Sequence, residues 1–454
     1  MACVDIGSTV TKAALVDVGS GSLVATASHR TTVDTDVLDG WQACLDQLAE
    51  VDPSARDAEV LACSSAGGGL RIAVVGNEEL VTAEAGRRVA LSSGGRVVRV
   101  SSGGLTPAGL DALDASRPDV VLLVGGTDGG NAEVLLSCAK ALGAARWPGP
   151  VVVAGNVDAR PEVAAVLDRA GTPYVLADNV VPRIGVLTPA PARAAIREMF
   201  LRHVIGGKHL SGRADFTAMV QGATPDIVLT AVELLARGVD EEHPGVGDLV
   251  VVDVGGATTD VYSVVELDPE DAGLSRDVVA TVPATRTVEG DLGMRWSARS
   301  TVVAAVAAGL LPDRADRDAA VDLAAHRQAH PDFVPGDAGE LVRDQGLAAL
   351  AIGVALRRHA GRAQVAFGPD GRVVERTGKD LREVELLAGS GGVLRHSGDD
   401  GPAVLVRHLS DDGKGWQLPR STRTVVDTDY VLAPAGLLAG RYPTAAHLLL
   451  QRLR

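Results

Sequence analysis

The chain has 454 residues and a net charge of -15, with 43 basic against 58 acidic side chains. That length predicts two or three packed domains, and that charge excludes a broad electrostatic grip on nucleic acid or anionic lipid. Hydrophobic residues make up 46% and aromatics only 3%, so the core is built from Val, Leu, Ile and Ala, as in helix-covered parallel sheets.

In chain order, Ala2 to Ile6 reads as a strand that enters Gly7-Ser8-Thr9, and a second strand runs from Ala13 to Val18. The lead before Asp5 is short for a strand, which usually has about five or six residues, so the true start is expected slightly upstream. From 71 to 185 the runs Val97–Val100, Val120–Val124 and Val151–Ala154 alternate with helix-length stretches, which implies a parallel α/β unit. The last two runs end in Gly125-Gly126-Thr127-Asp128-Gly129-Gly130-Asn131 and Gly155-Asn156, where parallel strands commonly place ligands. Asp128 and Asn131 are candidate ligand contacts, or the turn only closes a strand; the two readings stand equal. Helices follow at Ala192–Val204 and Asp226–Ala236, the second started by Thr224-Pro225-Asp226 and stopped by Gly238.

Residues His243 to Gly247 form a joint before a second opening, where Leu249–Val252 runs into Asp253-Val254-Gly255-Gly256 and a strand from Val261 to Val265 follows. Asp5-Ile6-Gly7-Ser8-Thr9-Val10-Thr11-Lys12 and Asp253-Val254-Gly255-Gly256-Ala257-Thr258-Thr259-Asp260 lie over each other, which suggests a duplicated fold. Such loops suit phosphate: glycines allow close backbone approach, hydroxyls and amides donate to oxygens, and a strand-end carboxylate holds hydrated magnesium. Each loop alone reads equally well as an ordinary hairpin. A third turn, Leu387-Ala388-Gly389-Ser390-Gly391-Gly392-Val393-Leu394, offers backbone for an adenine or ribose, or is simply a loop. The stretch from Gly398 to Arg423 is polar and Gly-rich and reads as loop or peripheral hairpin.

The four cysteines, Cys3, Cys44, Cys63 and Cys138, form no C-x-x-C pair or Cys/His cluster. This argues against a zinc ribbon, an iron–sulfur cluster or a disulfide framework. With no signal peptide and no membrane-length apolar run, the expected location is cytoplasmic.

The Asp5 loop resembles the first phosphate motif of the actin/sugar-kinase/DnaK-type ATPase superfamily, the Asp253 loop its second, and the Gly389 loop its adenosine motif. The helix after Thr224-Pro225 and the stretch Asp429–Ala439 look like its two connecting helices. The resemblance implies a duplicated actin-like, ribonuclease H-like fold, two lobes around a nucleotide cleft, with an inserted parallel α/β unit. The expected division is 1–70 for the first half, 71–185 for an inserted partner or specificity unit, 186–245 for connecting helices and 246–454 for the second half. Val124–Asn131, Val153–Asn156, Thr287–Arg295 and Leu387–Leu394 further resemble the GlmL/MutL-type glutamate mutase accessory family, unrelated to mismatch repair.

Membership implies an ATPase that reactivates an adenosylcobalamin-dependent carbon-skeleton mutase by helping damaged cobalamin leave. The cofactors implied are ATP/ADP and magnesium; the partners are mutase subunits, with a second copy of the chain as a further candidate. Asp5 and Asp253 are the expected catalytic and magnesium-holding carboxylates, through water, with Asp253 orienting the attacking water. Asp260 is a further magnesium candidate, or a turn carboxylate. Gly7, Ser8, Thr9, Lys12, Gly255, Gly256, Thr258 and Thr259 are the expected phosphate contacts, and Gly389, Ser390, Gly391 and Gly392 the adenosine contacts. Lys12 reads equally as a solvated side chain. Glu289 and Asp291 precede a helical stretch expected near Met294; capping is the reading for Asp291, while Glu289 stays open between capping and contact with the catalytic water. A small-molecule kinase of the same superfamily or a non-hydrolysing nucleotide-sensing scaffold are the alternatives. A radical-dehydratase activator is disfavoured for want of a cluster-binding cysteine set.

Overall fold

The computed structural model describes residues 1–66, 70–206, 210–266, 282–368, 371–410 and 414–454. Two compact units divide the chain, the first drawn chiefly from Met1–Leu229 and the second chiefly from the residues after it.

In the first unit, β1 (Ala2–Ile6), β2 (Val10–Asp17) and β3 (Ser22–Arg30) form an antiparallel meander, and β4 (Val60–Ser64) returns parallel to β1. β2 begins at Val10, earlier than the expected Ala13, because Thr11 turns inward. It is fully buried and its hydroxyl pairs with that of Thr31 at 3.0 Å, so a polar residue joins the strand with its hydrogen bond met. The helix Val37–Val51 starts where the Asp36 side chain accepts the Leu38 amide, and it buries Leu38, Trp41, Cys44 and Leu48 in the core of this sheet.

Five parallel strands follow: β5 (Leu70–Val75), β6 (Gly95–Ser101), β7 (Val120–Leu123), β8 (Val151–Val153) and β9 (Tyr174–Leu176), in the order β6-β5-β7-β8-β9. The apolar runs of the central strands β7 and β8 are continuous and fully buried, because both of their faces are covered. Ile72, Val74, Leu122 and Val152 enter one core, while Ala73, Val75, Leu123 and Val153 enter another with Leu135, Leu142, Val163 and Leu167 from the flanking helices. β10 (Val220–Ala223) then rejoins the first sheet beside β4, giving β10-β4-β1-β2-β3, and the helix Thr224–Arg237 follows at once.

In the second unit, β11 (Leu249–Val254), β12 (Thr259–Val264) and β13 (Ala284–Glu289) repeat the antiparallel meander. After the hairpin of β14 (Arg362–Gly368) and β15 (Gly371–Thr377), β16 (Leu386–Ser390) runs parallel to β11, and β17 (Arg423–Val426) runs parallel to β16. The order β13-β12-β11-β16-β17 is that of the first sheet again: a meander, then two parallel strands beyond its first strand. The chain is therefore a duplicated α/β fold of the actin-like, ribonuclease H-like type, with an additional parallel α/β sheet in its first unit. The helices Ala298–Ala308 and Ala338–His359 supply the core of the second sheet, the longer one capped by Asp337 on the Glu340 amide.

Two expectations are corrected. The polar stretch from Gly398 is not loop or hairpin throughout: Gly401–Val406 is a helix whose Val404 and Leu405 pack with Leu387, Leu394 and Val426, so two apolar side chains in a polar context decide its place; residues 411–413 of that stretch lie outside the described residues. The helix expected near Met294 begins at Ala298. The amides of Met294, Arg295 and Trp296 instead donate to the carbonyls of Gly255 and Gly256 at 2.8–3.0 Å, which holds them out of the helix. No helix among the described residues is long and apolar enough to cross a membrane.

Candidate functional site

The β1–β2 turn carries Gly7, Ser8 and Thr9, the last two exposed. Asp5, at the buried end of β1, stands opposite Lys12 in β2 and beside Cys63 in β4. The Thr224 hydroxyl donates to Asp5 Oδ1 at 2.6 Å, and the Cys63 thiol donates to the same oxygen at 3.6 Å. Burial, and after it the neighbouring Asp5, pushes the Cys63 thiol well above its usual range, so it stays a neutral donor. Thr31 Oγ1 holds the Gly7 carbonyl at 2.9 Å and so fixes the turn from behind.

The β11–β12 turn has the same construction. Asp253 stands opposite Asp260 and beside Ser390, as Asp5 stands opposite Lys12 and beside Cys63. A Cβ on Gly7 would lie 2.7 Å from the Val10 carbonyl oxygen and one on Gly255 2.9 Å from that of Thr258, so both turns close too tightly for a side chain at their first position. Gly256 and Thr258 are half-buried at the turn. Thr259, at the register of Thr11, is fully buried, and its hydroxyl meets no hydrogen-bond partner among the described residues. Asp260 is engaged by Arg286, whose Nη2 donates to Oδ1 at 3.0 Å, and burial outweighs this cation to leave its carboxyl above the ordinary range. Behind the turn, Arg295 donates to Asp344 at 2.8 Å, and Arg327 donates to the other oxygen of Asp344 at 2.7 Å.

The third turn joins β16 to the short helix Gly392–Arg395. Ser390 is buried, Gly392 is exposed, and Gly391 has a φ of 112° with a phantom Cβ 2.3 Å from the Val254 carbonyl oxygen, which ties this turn to β11. The carbonyl of Gly389 accepts the Asp427 amide at 2.8 Å. The Asp427 carboxylate accepts the amides of Val431 and Leu432 at 2.8 and 3.2 Å, just ahead of the helix Leu432–Leu438. Burial pushes this carboxyl up to about 6 against those two amides, with the charge of Asp253 adding to the rise.

Glu289 and Asp291 are both held by Arg358, at 2.7 Å to Glu289 and at 2.6 and 2.9 Å to the two oxygens of Asp291. The capping reading of Asp291 is thereby corrected: a two-pronged Arg pair occupies its carboxylate. Arg358 holds that carboxyl below its usual range, whereas burial keeps the Glu289 carboxyl above it. In the additional sheet, Asp128 accepts the Val157 amide at 3.1 Å and Asn179 Nδ2 at 2.8 Å, while Asn131 accepts the Glu133 amide at 2.7 Å, so both serve to close their loop.

Sequence reasoning singled out the strand-end carboxylates and the turns, and it missed Thr224 as a donor to Asp5, Arg295 with Asp344, and Asp427. For Asp427 a signal was present: an Asp shortly before a helix start is a cap pattern. Asp5 in the first unit and Asp253 in the second each stand beside a turn of small residues, a pairing suited to phosphate oxygens and to a cation held through its water.

A family model described as MutL protein matches residues 1–453. Protein MutL of Clostridium tetanomorphum is 36% identical over 451 residues, 99% of this chain and 97% of its own. Among solved structures, xylulose kinase from Bifidobacterium adolescentis is 12% identical with a TM-score of 0.31, covering 100% of this chain and 93% of its own. The Lmo2764 protein of Listeria monocytogenes is 14% identical with a TM-score of 0.28, covering 100% and 99%. Full-length matching to the Clostridium tetanomorphum protein at 36% identity settles the family: the chain belongs to the MutL family of glutamate mutase accessory proteins.

Proposed function

We propose that this chain is a cytoplasmic ATP-dependent factor that reactivates an adenosylcobalamin-dependent carbon-skeleton mutase, glutamate mutase or a relative, and that it uses ATP hydrolysis to drive release of damaged cobalamin. The observation that carries the nucleotide part is the repeated hairpin: Asp5 and Asp253 occupy one register in two sheets of one strand order, each beside a small-residue turn. The mutase part rests on family membership.

Asp5 and Asp253 are the carboxylates that would each hold magnesium through its water, and Asp253 is the one that would orient the water attacking the terminal phosphate. Bound magnesium supplies charge neutralisation at the phosphate oxygens. Ser8, Thr9 and Thr258 donate to those oxygens from the turn surfaces, with Thr259 behind them and Lys12 adding positive charge. Asp260, held by Arg286, supports the water shell from β12. Gly389, Ser390, Gly391 and Gly392 present backbone to the adenosine. No covalent nucleophile is required, because phosphoryl transfer depends mainly on positioning and charge neutralisation. ATP and ADP favour different conformations, and the mutase is gripped or released by as much as it discriminates between them.

The test is phosphate release from ATP with magnesium, alone and with an inactivated cobalamin mutase, for the wild type and Asp253→Ala. Hydrolysis that needs Asp253 and restores mutase turnover supports the proposal. ATP binding without phosphate release or rescue sinks it in favour of a scaffold, and transfer to a small acceptor favours a kinase.

A further inference from the structure

From the side-chain contacts of the first sheet we infer that Thr224 is a positioning residue for Asp5, holding the carboxylate in the orientation that meets hydrated magnesium. The inference rests on the nucleotide-binding reading above and adds Thr224, marked in the sequence only as a helix start, to the residues that act on Asp5.

Strand order produces the contact. β1, β4 and β10 are neighbours and parallel, with Asp5 level with Cys63, and Ala223 level with Ser64. Thr224 follows Ala223 directly, so its side chain leaves the end of β10 where the carboxylate of β1 lies two strands away. The resulting bond of 2.6 Å joins residues 219 positions apart and has the length of a hydroxyl-to-carboxylate bond. Asp5 is 4% exposed, so the hydroxyl-to-carboxylate bond lies in a shielded setting where losing it is costly. Cys63, at 3.6 Å on the same oxygen, is a weak donor and no substitute.

Thr224 is also the first residue of the helix Thr224–Arg237, and the division between the two compact units falls inside that helix, after Leu229.

The experiment compares wild type, Thr224→Val and Thr224→Ser. A fluorescent ATP analogue is titrated with and without magnesium, manganese binding is followed by electron paramagnetic resonance in the presence of ADP, and thermal unfolding checks that each variant folds. The expected result is that Thr224→Val weakens the divalent cation about tenfold, as loss of one charge-assisted hydrogen bond implies. Magnesium-free nucleotide binding stays at the wild-type level, and Thr224→Ser restores cation affinity. A folded Thr224→Val with wild-type cation affinity overturns the inference and leaves the nucleotide reading standing. Equal loss of nucleotide binding with and without magnesium also overturns it, since that is the mark of a structural role. Absence of any magnesium-dependent nucleotide binding in the wild type overturns both.

Discussion

Asp253 and Asp260 face each other across the β11–β12 ladder, and the residues at the same places in the first sheet are Asp5 and Lys12. One copy of the duplicated hairpin thus pairs opposite charges and the other like charges, which is unfavourable for cross-strand neighbours. Arg286 offsets this from β13: it is buried and bonded to Asp260, whose side chain is 13% exposed.

Arg286→Met is expected to destabilise the chain by about 3–5 kcal/mol, because it leaves a buried carboxylate uncompensated beside a second one. Adding Asp260→Asn to the same chain is expected to recover part of that loss. Denaturant titration of the two variants measures both steps; a single variant as stable as wild type would show that Arg286 compensates nothing.

Two buried groups give stability opposite slopes with pH. Burial pushes Asp427 from 3.8 up to about 6, so between those values the native chain binds more protons than the unfolded one, and stability falls as pH rises through about 6. Burial lowers His359 from 6.5 to about 3 while its ring nitrogens bond to Thr287 and Ser263 at 2.9 and 2.8 Å, so stability falls as pH drops below 6.5. Asp427→Asn and His359→Gln should each remove a slope of up to about 1.4 kcal/mol per pH unit, of opposite sign. Unfolding free energies from pH 4 to 6.5 check this, and identical profiles for both variants would refute it.

Adjacent glycines in the third turn should respond differently to alanine. Gly391→Ala combines a left-handed φ of 112° with a clash on the Val254 carbonyl, and a loss of at least about 2 kcal/mol is expected. A Cβ on Gly392 meets nothing within 4 Å, so Gly392→Ala should stay within about 0.5 kcal/mol of wild type. On the proposed function Gly392→Ala nonetheless weakens ATP binding, because its new methyl group occupies backbone surface meant for adenosine. Calorimetric binding to this folded variant checks the point, and unchanged affinity would remove Gly392 from the site.

The sequence by itself determined the α/β class, the two Asp-aliphatic-Gly hairpins, the Gly389 turn and the helix that starts at Thr224. These are local signals: an apolar run, a small-residue turn and a helix start lie within a few residues of one another. Only the tertiary structure decided what surrounds each carboxylate. Thr224 reaches Asp5 because β10 joins the sheet two strands away, Arg286 reaches Asp260 through β13, and Arg358 takes Asp291 from the far end of a long helix, which displaces the capping role expected for it. The burial that raises the Asp427 carboxyl comes from elements distant in the chain in the same way. Periodicity and turn chemistry act over a few residues, whereas hydrogen-bond partners and desolvation follow from strand order and packing, which bring together residues that no local pattern connects.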